Sequence, residues 1–184
     1  MKKDIDKVLK LSENELKTAL PPLMERVKKF GVENLMKAMP DLVSRLVNNL
    51  KSIDVGKFVA EAPEASVAFM DVLWEGIGIL VEKDAETKGK VVNAGEIKLN
   101  FEATDSPLKG NIKLSGGKIS GGLALLDAPD LKVSSDTKTL IALLTGDVDP
   151  VRGYMSGQYK MEGSLAVGIK LAPVMQSLPK LFKA

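Results

Sequence analysis

The spacing of apolar side chains changes once along this chain, and the change falls near Lys83. Up to that point apolar residues recur every three or four positions, the period of a helix face; beyond Lys90 they alternate with polar ones, the period of a strand. A helical half followed by an alternating half predicts helices on one side of an antiparallel sheet, an α+β arrangement.

Within the helical half, Ser12-Glu13-Asn14-Glu15 has the form of a capping box, in which the Ser12 and Glu15 side chains satisfy free amide groups of the first turn. A helix is expected to start there, and Pro21 and Pro22 to break or restart it, because each lacks a backbone donor. Met24, Val27 and Phe30 continue the stripe to Gly31, and Leu35, Met36 and Met39 form a short helix before Pro40. Asp41 then caps a run with Leu42, Val43, Leu46, Val47 and Leu50 on one face and Ser44, Arg45, Asn48 and Asn49 on the other. Val67, Met70, Trp74, Ile77 and Val81 keep the helical spacing, and Leu73 and Leu80 widen the stripe until little polar surface remains. That helix is expected to be buried on more than one side, with Trp74 as a core anchor or as a ring stacked on a ligand. It carries Asp71 and Glu75 and falls short of the roughly 20 apolar residues of a membrane span. Lys83 to Lys90 reads as a polar connector. The domain boundary is placed between Ala60 and Lys90, giving residues 1–60 as an N-terminal helical extension and 61–184 as the main domain.

In the alternating half, Ile97, Leu99 and Phe101 interleave with Lys98, Asn100 and Glu102, which predicts one dry and one wet face. Leu108, Ile112 and Leu114 repeat the pattern against Lys109, Asn111 and Lys113. Gly116-Gly117 supplies a hairpin turn, since glycine reaches the positive φ values that tight hairpins require. Ile119 opens a third strand, in which Gly121 and Gly122 imply a bulge or a close backbone approach, and Leu131 and Val133 form a fourth. Three successive hairpin-like connections point to antiparallel pairing. Ser134-Ser135-Asp136 begins a helix through Leu140, Ile141, Leu143 and Leu144 that stops at Gly146. Pro150 starts a further turn carrying Val151, Tyr154 and Met155 inward, and Gly157 releases the chain into a last strand, Gln158 to Glu162. Gly163-Ser164 leads into a final helix through Leu165, Val167, Ile169 and Leu171, ended or kinked by Pro173.

Composition removes several chemistries. With no histidine and no cysteine, Ser-His and Cys-His nucleophilic pairs, thiolate catalysis, disulfides and Cys/His zinc sites are excluded. A formal net charge of +2 and 4% aromatic residues argue against nucleic acid as a partner. Gly116 to Gly122 fails the phosphate-loop pattern, because Ile112 and Ile119 stand where Gly and Ser or Thr are needed. Asp147 and Asp149 lack the further oxygen ligands of a calcium loop. No catalytic residue, metal or cofactor is therefore expected. The opening Met1-Lys2-Lys3-Asp4 leads into no apolar run, so a secretory signal is not expected, and the absence of cysteine suits a cytoplasmic setting. The terminal Leu181-Phe182-Lys183-Ala184 does not match a Ser-Lys-Leu peroxisomal address.

From Leu131 to Leu171 the order of elements is an apolar helix with Leu-Thr-Gly, a proline turn, a glycine-bounded strand and a second apolar helix, densest at ALLTGDVDP, GYMSGQYKMEG and LAVGIKL. This order resembles the sterol carrier protein 2 family. The resemblance implies a five-stranded, mostly antiparallel sheet with helices over one face and an apolar tunnel that binds sterols, fatty acids, fatty acyl-CoA or phospholipids without transforming them. The tunnel would be lined by some of Leu140, Leu143, Leu144, Tyr154, Met155, Met161, Leu165, Ile169 and Leu171, and for each of these ordinary core packing is the alternative. Lys160 and Lys170 would meet a lipid headgroup or simply occupy the wet face. Residues 1–60 have no counterpart in the minimal family domain; they would cover the tunnel, dimerise the protein, or rest transiently on a membrane surface through Leu42, Leu46 and Leu50. The rival readings are a structural or regulatory interaction module with a solid interior, and an accessory domain of an enzyme complex.

Overall fold

In the computed structural model, which describes residues 1–182, the helical half is α1 (Lys2–Val8), α2 (Glu13–Phe30), α3 (Val32–Ala38), α4 (Leu42–Ser52), α5 (Val55–Glu61), α6 (Pro63–Lys83) and α7 (Ala85–Ala94). Lys183 and Ala184 of the terminal tetrapeptide lie outside the described residues. Ser12 starts α2 as its pattern predicts: the backbone N–H donates to Glu15 Oε2 at 3.0 Å and the hydroxyl donates to the same oxygen at 2.6 Å. The helix then runs through Pro21 and Pro22 without a break, contrary to the sequence expectation. Each proline removes one intrahelical donor, but the stripe of Leu16, Leu20, Leu23, Met24 and Val27 is buried, with α2 packed on α6, and that burial outweighs two lost bonds. Phe30 leaves the stripe and is 47% exposed.

Two further helical expectations are corrected. Asp41 stands at the N-cap of α4, yet its carboxylate accepts from Arg45 Nε at 2.7 Å and bonds none of the helix's first amides. The expected connector at Lys83 to Lys90 is instead the end of α6 at Lys83, a single junction residue and the start of α7: Asp84 accepts from the Thr87 N–H at 2.7 Å, and Thr87, Val91 and Ala94 are buried. The apolar face of α4 is also turned inward. Leu42, Leu46 and Leu50 belong to the same buried cluster as Ile77 of α6 and Leu114 of the sheet, so they form no surface for a membrane or a second copy. Dimer or membrane contact through that stripe is therefore ruled out by its burial.

The second half is β1 (Ile97–Ala103), β2 (Lys109–Ser115), β3 (Lys118–Gly122), β4 (Leu131–Ser135), α8 (Thr137–Thr145), α9 (Pro150–Met155), β5 (Lys160–Gly163) and α10 (Leu165–Leu181). The five strands form one sheet in the order β3-β2-β1-β4-β5. At the β2–β3 turn, Gly116 and Gly117 have φ of 58° and 70°, the paired positive values of the tightest hairpins. The link from β3 to β4 is not a hairpin. It crosses β2 and β1, so β4 pairs parallel with β1 (Leu99 beside Leu131, Phe101 beside Val133) while the other pairings are antiparallel. The sheet is thus mixed and mostly antiparallel. Asn100 and Asn111, expected on the wet face, hold this crossover: Asn100 exchanges two 2.9 Å hydrogen bonds with the backbone of Leu126, and Asn111 Nδ2 donates to the Ala124 carbonyl. Both asparagines are buried by the segment they tether.

The opposite, apolar face of the sheet receives the helices. Of the two readings offered for the glycines of β3, close approach is the one observed: a Cβ on Gly121 would lie 2.3 Å from Cε2 of Trp74. Gly146 ends α8 in the left-handed region at φ 79°, as expected. Pro173 does not end α10, which continues to Leu181 with Leu171, Val174 and Leu178 buried; Ser177 Oγ donates to the Pro173 carbonyl at 2.8 Å.

Candidate functional site

The helices do not close completely on the sheet. Between them lies a cavity of about 280 Å³, bounded below by Leu99, Phe101, Ile112 and Val133 of the sheet and above by α4 to α6 and α8 to α10. That volume stands near the lower end of the roughly 300–1,000 Å³ range of small-molecule pockets. Every side chain that lines it is uncharged, and nearly all are aliphatic or aromatic.

The sequence-derived residues fall into three groups. Leu140, Leu144 and Leu171 are buried in the wall, and Leu143 and Met161 line it half-buried. Tyr154, Leu165 and Ile169 line it from exposed positions on α9 and α10, joined there by Val151, so this side forms the rim. Met155 is not in the wall; it is 82% exposed. Met155 is the last residue of α9, four positions after Val151 and so near the same face, and its side chain extends past the helix end into solvent. The inward packing expected of all three α9 residues is not found, because α9 is a single short helix at the surface.

Part of the remaining wall precedes the strands: Leu20, Leu50, Phe58, Phe69 and Met70, which sequence reasoning did not select as lining, and Trp74, which it offered as a core anchor or a ligand-stacking ring. The signal that could have found Phe69 and Met70 was the α6 stripe, too wide for one buried face. Trp74 is the expected core anchor, buried against Gly121, and it also lines the cavity.

Several polar groups in the wall are already engaged. Tyr159 donates its hydroxyl to the Pro150 carbonyl at 2.7 Å, and burial, with Asp149 and Tyr154 adding, raises its phenol above the ordinary value. Its ring meets that of Tyr154 at a centroid distance of 5.9 Å. Ser66 donates to the Ala62 carbonyl at 2.9 Å. Below α8, Asp149 caps α9 through the N–H groups of Val151 and Arg152 at 3.0 and 2.9 Å, and Asp147 pairs with Lys51 at 2.7 Å, so both carboxylates of that loop have structural partners. Outside the rim, Arg152, Lys160 and Lys170 are exposed and have no ion-pair partner among the described residues. No cluster of three or more His, Cys, Asp or Glu side chains suited to a metal occurs among the described residues, and no helix there is long and apolar enough to cross a membrane. Such a cavity can exclude water and hold an apolar chain, at about 0.8 kcal/mol per buried methylene.

Hydroxysteroid dehydrogenase-like protein 2 of Rattus norvegicus is 32% identical over 65 residues, 35% of this chain and 12% of that protein. The Mus musculus protein of the same name is 31% identical over 68 residues, 37% of this chain and 14% of its own length. The chain therefore spans only a small part of these two relatives. Among solved structures, a UbiJ-SCP2 ubiquinone synthesis protein is similar with a TM-score of 0.47 and 12% identity, over 61% of this chain and 89% of that one. A crystal structure of sterol carrier protein 2 gives 0.45 and 17%, over 58% and 90%. The profile of the SCP-2 sterol transfer family matches residues 78–176, from the end of α6 into α10. The chain belongs to the SCP-2 sterol transfer family.

Proposed function

We propose that this protein binds an apolar lipid in the cavity and transfers it without chemical change, the candidates being a fatty acid, a fatty acyl-CoA, a phospholipid or a sterol. The observation that carries the reading is a wall made wholly of uncharged, mostly aliphatic side chains and open at a rim of exposed apolar residues. An ordinary core would close such a wall, and an enzyme would place a reactive group in it. Residues 1–60 act as a helical extension to a lipid-binding domain of residues 61–184, and they complete the cavity through Leu20, Leu50 and Phe58. The rim is the face that touches a membrane during exchange. Val151, Tyr154, Leu165 and Ile169 line the opening, Met155 stands beside them, and Arg152, Lys160 and Lys170 offer positive charge to anionic headgroups. The lack of cysteine suits work in the reducing cytoplasm.

Native mass spectrometry of the freshly purified protein tests the reading. A co-purifying lipid, or saturable uptake of a fluorescent fatty acid or sterol after delipidation, is the expected result. A dry protein that ignores both probes refutes the carrier and leaves an interaction module with the same fold.

A further inference from the structure

The sulfur chemistry of this chain rests on eight methionines and no cysteine, and seven of the eight are shielded. Met24, Met36, Met39 and Met70 are between 0 and 6% exposed, and Met1, Met161 and Met175 are half-buried against the core. Met155 is 82% exposed, more than any other large apolar side chain among the described residues. It stands one position from Tyr154 and four from Val151 on α9, beside the rim that Leu165 and Ile169 of α10 complete. Met155 has no place in the cavity wall, so its surroundings and those of a bound ligand are separate. The two rim helices carry Arg152, Lys170 and Lys180 and no acidic residue. That face suits anionic headgroups, and its single sign of charge would repel a second copy of itself.

An exposed thioether has a reaction open to it that its aliphatic neighbours lack. A sulfur lone pair attacks one oxygen of hydrogen peroxide; the S–O bond forms as the O–O bond breaks, sulfur gives up two electrons and peroxide takes them. The departing hydroxide takes the proton from the transferred oxygen and leaves as water. With no thiol in the chain to intercept peroxide and no packing around Met155, this side chain is oxidised ahead of the other seven. The sulfoxide is polar where the thioether was apolar, and the change is undone by methionine sulfoxide reductases. Taking the rim to be the membrane face argued above, we propose that Met155 is a peroxide-sensitive membrane anchor. As a thioether it enters the apolar edge of an anionic bilayer beside Val151 and Ile169; as a sulfoxide it holds the rim off that surface while the cavity keeps its ligand.

The experiment treats the delipidated full-length protein with hydrogen peroxide until about one oxygen per chain is taken up. The product is mapped by peptide mass spectrometry, sedimented with vesicles of phosphatidylcholine and phosphatidylglycerol, and titrated with Nile red. Met155 sulfoxide is expected to form first, vesicle affinity to fall about tenfold, the order expected when one large apolar side chain leaves the contact, and Nile red uptake to stay as it was. The two methionine sulfoxide reductases, one for each sulfoxide epimer, should restore the affinity. Met155→Leu should show the same vesicle affinity before and after peroxide, whatever its starting level. Treated and untreated forms of the unaltered protein are compared without any variant, so misfolding of M155L does not protect the proposal. Oxidation spread evenly over the methionines, full vesicle affinity of the Met155 sulfoxide, a parallel loss of Nile red uptake, or an equal loss of affinity in peroxide-treated M155L overturns the switch and leaves the carrier reading standing. Untreated protein that ignores the vesicles overturns the switch together with the membrane face, and if it ignores Nile red as well the carrier falls with them.

Discussion

Gly121→Ala should move the one tryptophan of the chain into the cavity. A Cβ at this position would lie 2.3 Å from Cε2, 2.5 Å from Cδ2 and 2.7 Å from Nε1 of Trp74, directly against the pyrrole part of the indole. Carbon atoms in contact prefer about 3.5–4.0 Å, so the separation is short by about 1 Å. The backbone of Gly121 is held in register opposite Ile112 of β2 and cannot retreat without breaking the ladder. The ring can retreat, because its own surroundings include the cavity. Inserting one methyl into a packed contact costs about 1–3 kcal/mol. At about 2–4 °C per kcal/mol for a chain of this size, the melting temperature should fall by about 2–12 °C. Since Trp74 is the sole tryptophan, its fluorescence reads the ring's environment without interference, and Nile red uptake reads the space left beside it. The variant should melt lower, shift its emission and bind less probe. Unaltered melting, emission and uptake together would refute the claim that Trp74 is clamped between β3 and an open cavity.

Gly89→Ala is the opposite case: the residue lies inside α7, and an added Cβ meets nothing within 4 Å, so stability should rise by about 0.5–1 kcal/mol, seen as a higher melting temperature. Acid should weaken the junction between the sheet and α8. The Thr137 hydroxyl and N–H, at 2.7 and 2.8 Å, hold the Asp105 carboxyl below its ordinary value of 3.8, and the Thr139 hydroxyl and N–H do the same for Asp136. Both groups bind fewer protons folded than unfolded, so their contribution is complete above the ordinary aspartate value and is lost as pH falls through it towards the lower folded values. Melting temperature measured from about pH 5 down to about pH 2.5 should decline, and an Asp105→Ala, Asp136→Ala double variant should flatten that decline; an identical slope in the variant would remove these two groups from the account.

What the sequence revealed and what it hid divide along a physical line. Local signals were readable where a residue's partner is near in the chain: the Ser12–Glu15 cap, the Gly116-Gly117 hairpin and the Asp136 entry to α8 all stand where the pattern puts them. The failures are positions where distant packing decides. Pro21, Pro22 and Pro173 carry local penalties that the burial of Leu20 and Val174 offsets, and no window of sequence contains that burial. Asn100 and Asn111 alternate as wet-face residues should, and only the path of residues 123–127 turns them into buried tethers. The cavity was half legible for the same reason. Apolar helices after Leu140 mark one wall, but a residue that lines a cavity and one that fills a core have the same composition, and Met155 shows that the pattern does not separate either from the surface.

The division of the cavity between the two halves of the chain bears on how its wall is built. The family segment, residues 78–176, supplies the sheet floor and the rim helices, none of which offers a free polar atom to the interior. The earlier part of the wall in chain order, from Leu20 to Trp74, contains the two lining residues with an unpartnered buried polar atom, Asn49 and Trp74. A polar group buried without a partner costs about 1–3 kcal/mol, and replacing Asn49 by an aliphatic residue would relieve it. Within the fold that cost is offset by the burial of Leu46, Leu50, Leu73 and Ile77 on the same two helices. On this argument the cavity depends on the helices before residue 78 as much as on the family segment, and a protein cut to residues 78–176 would lack the α4 and α6 side of the wall.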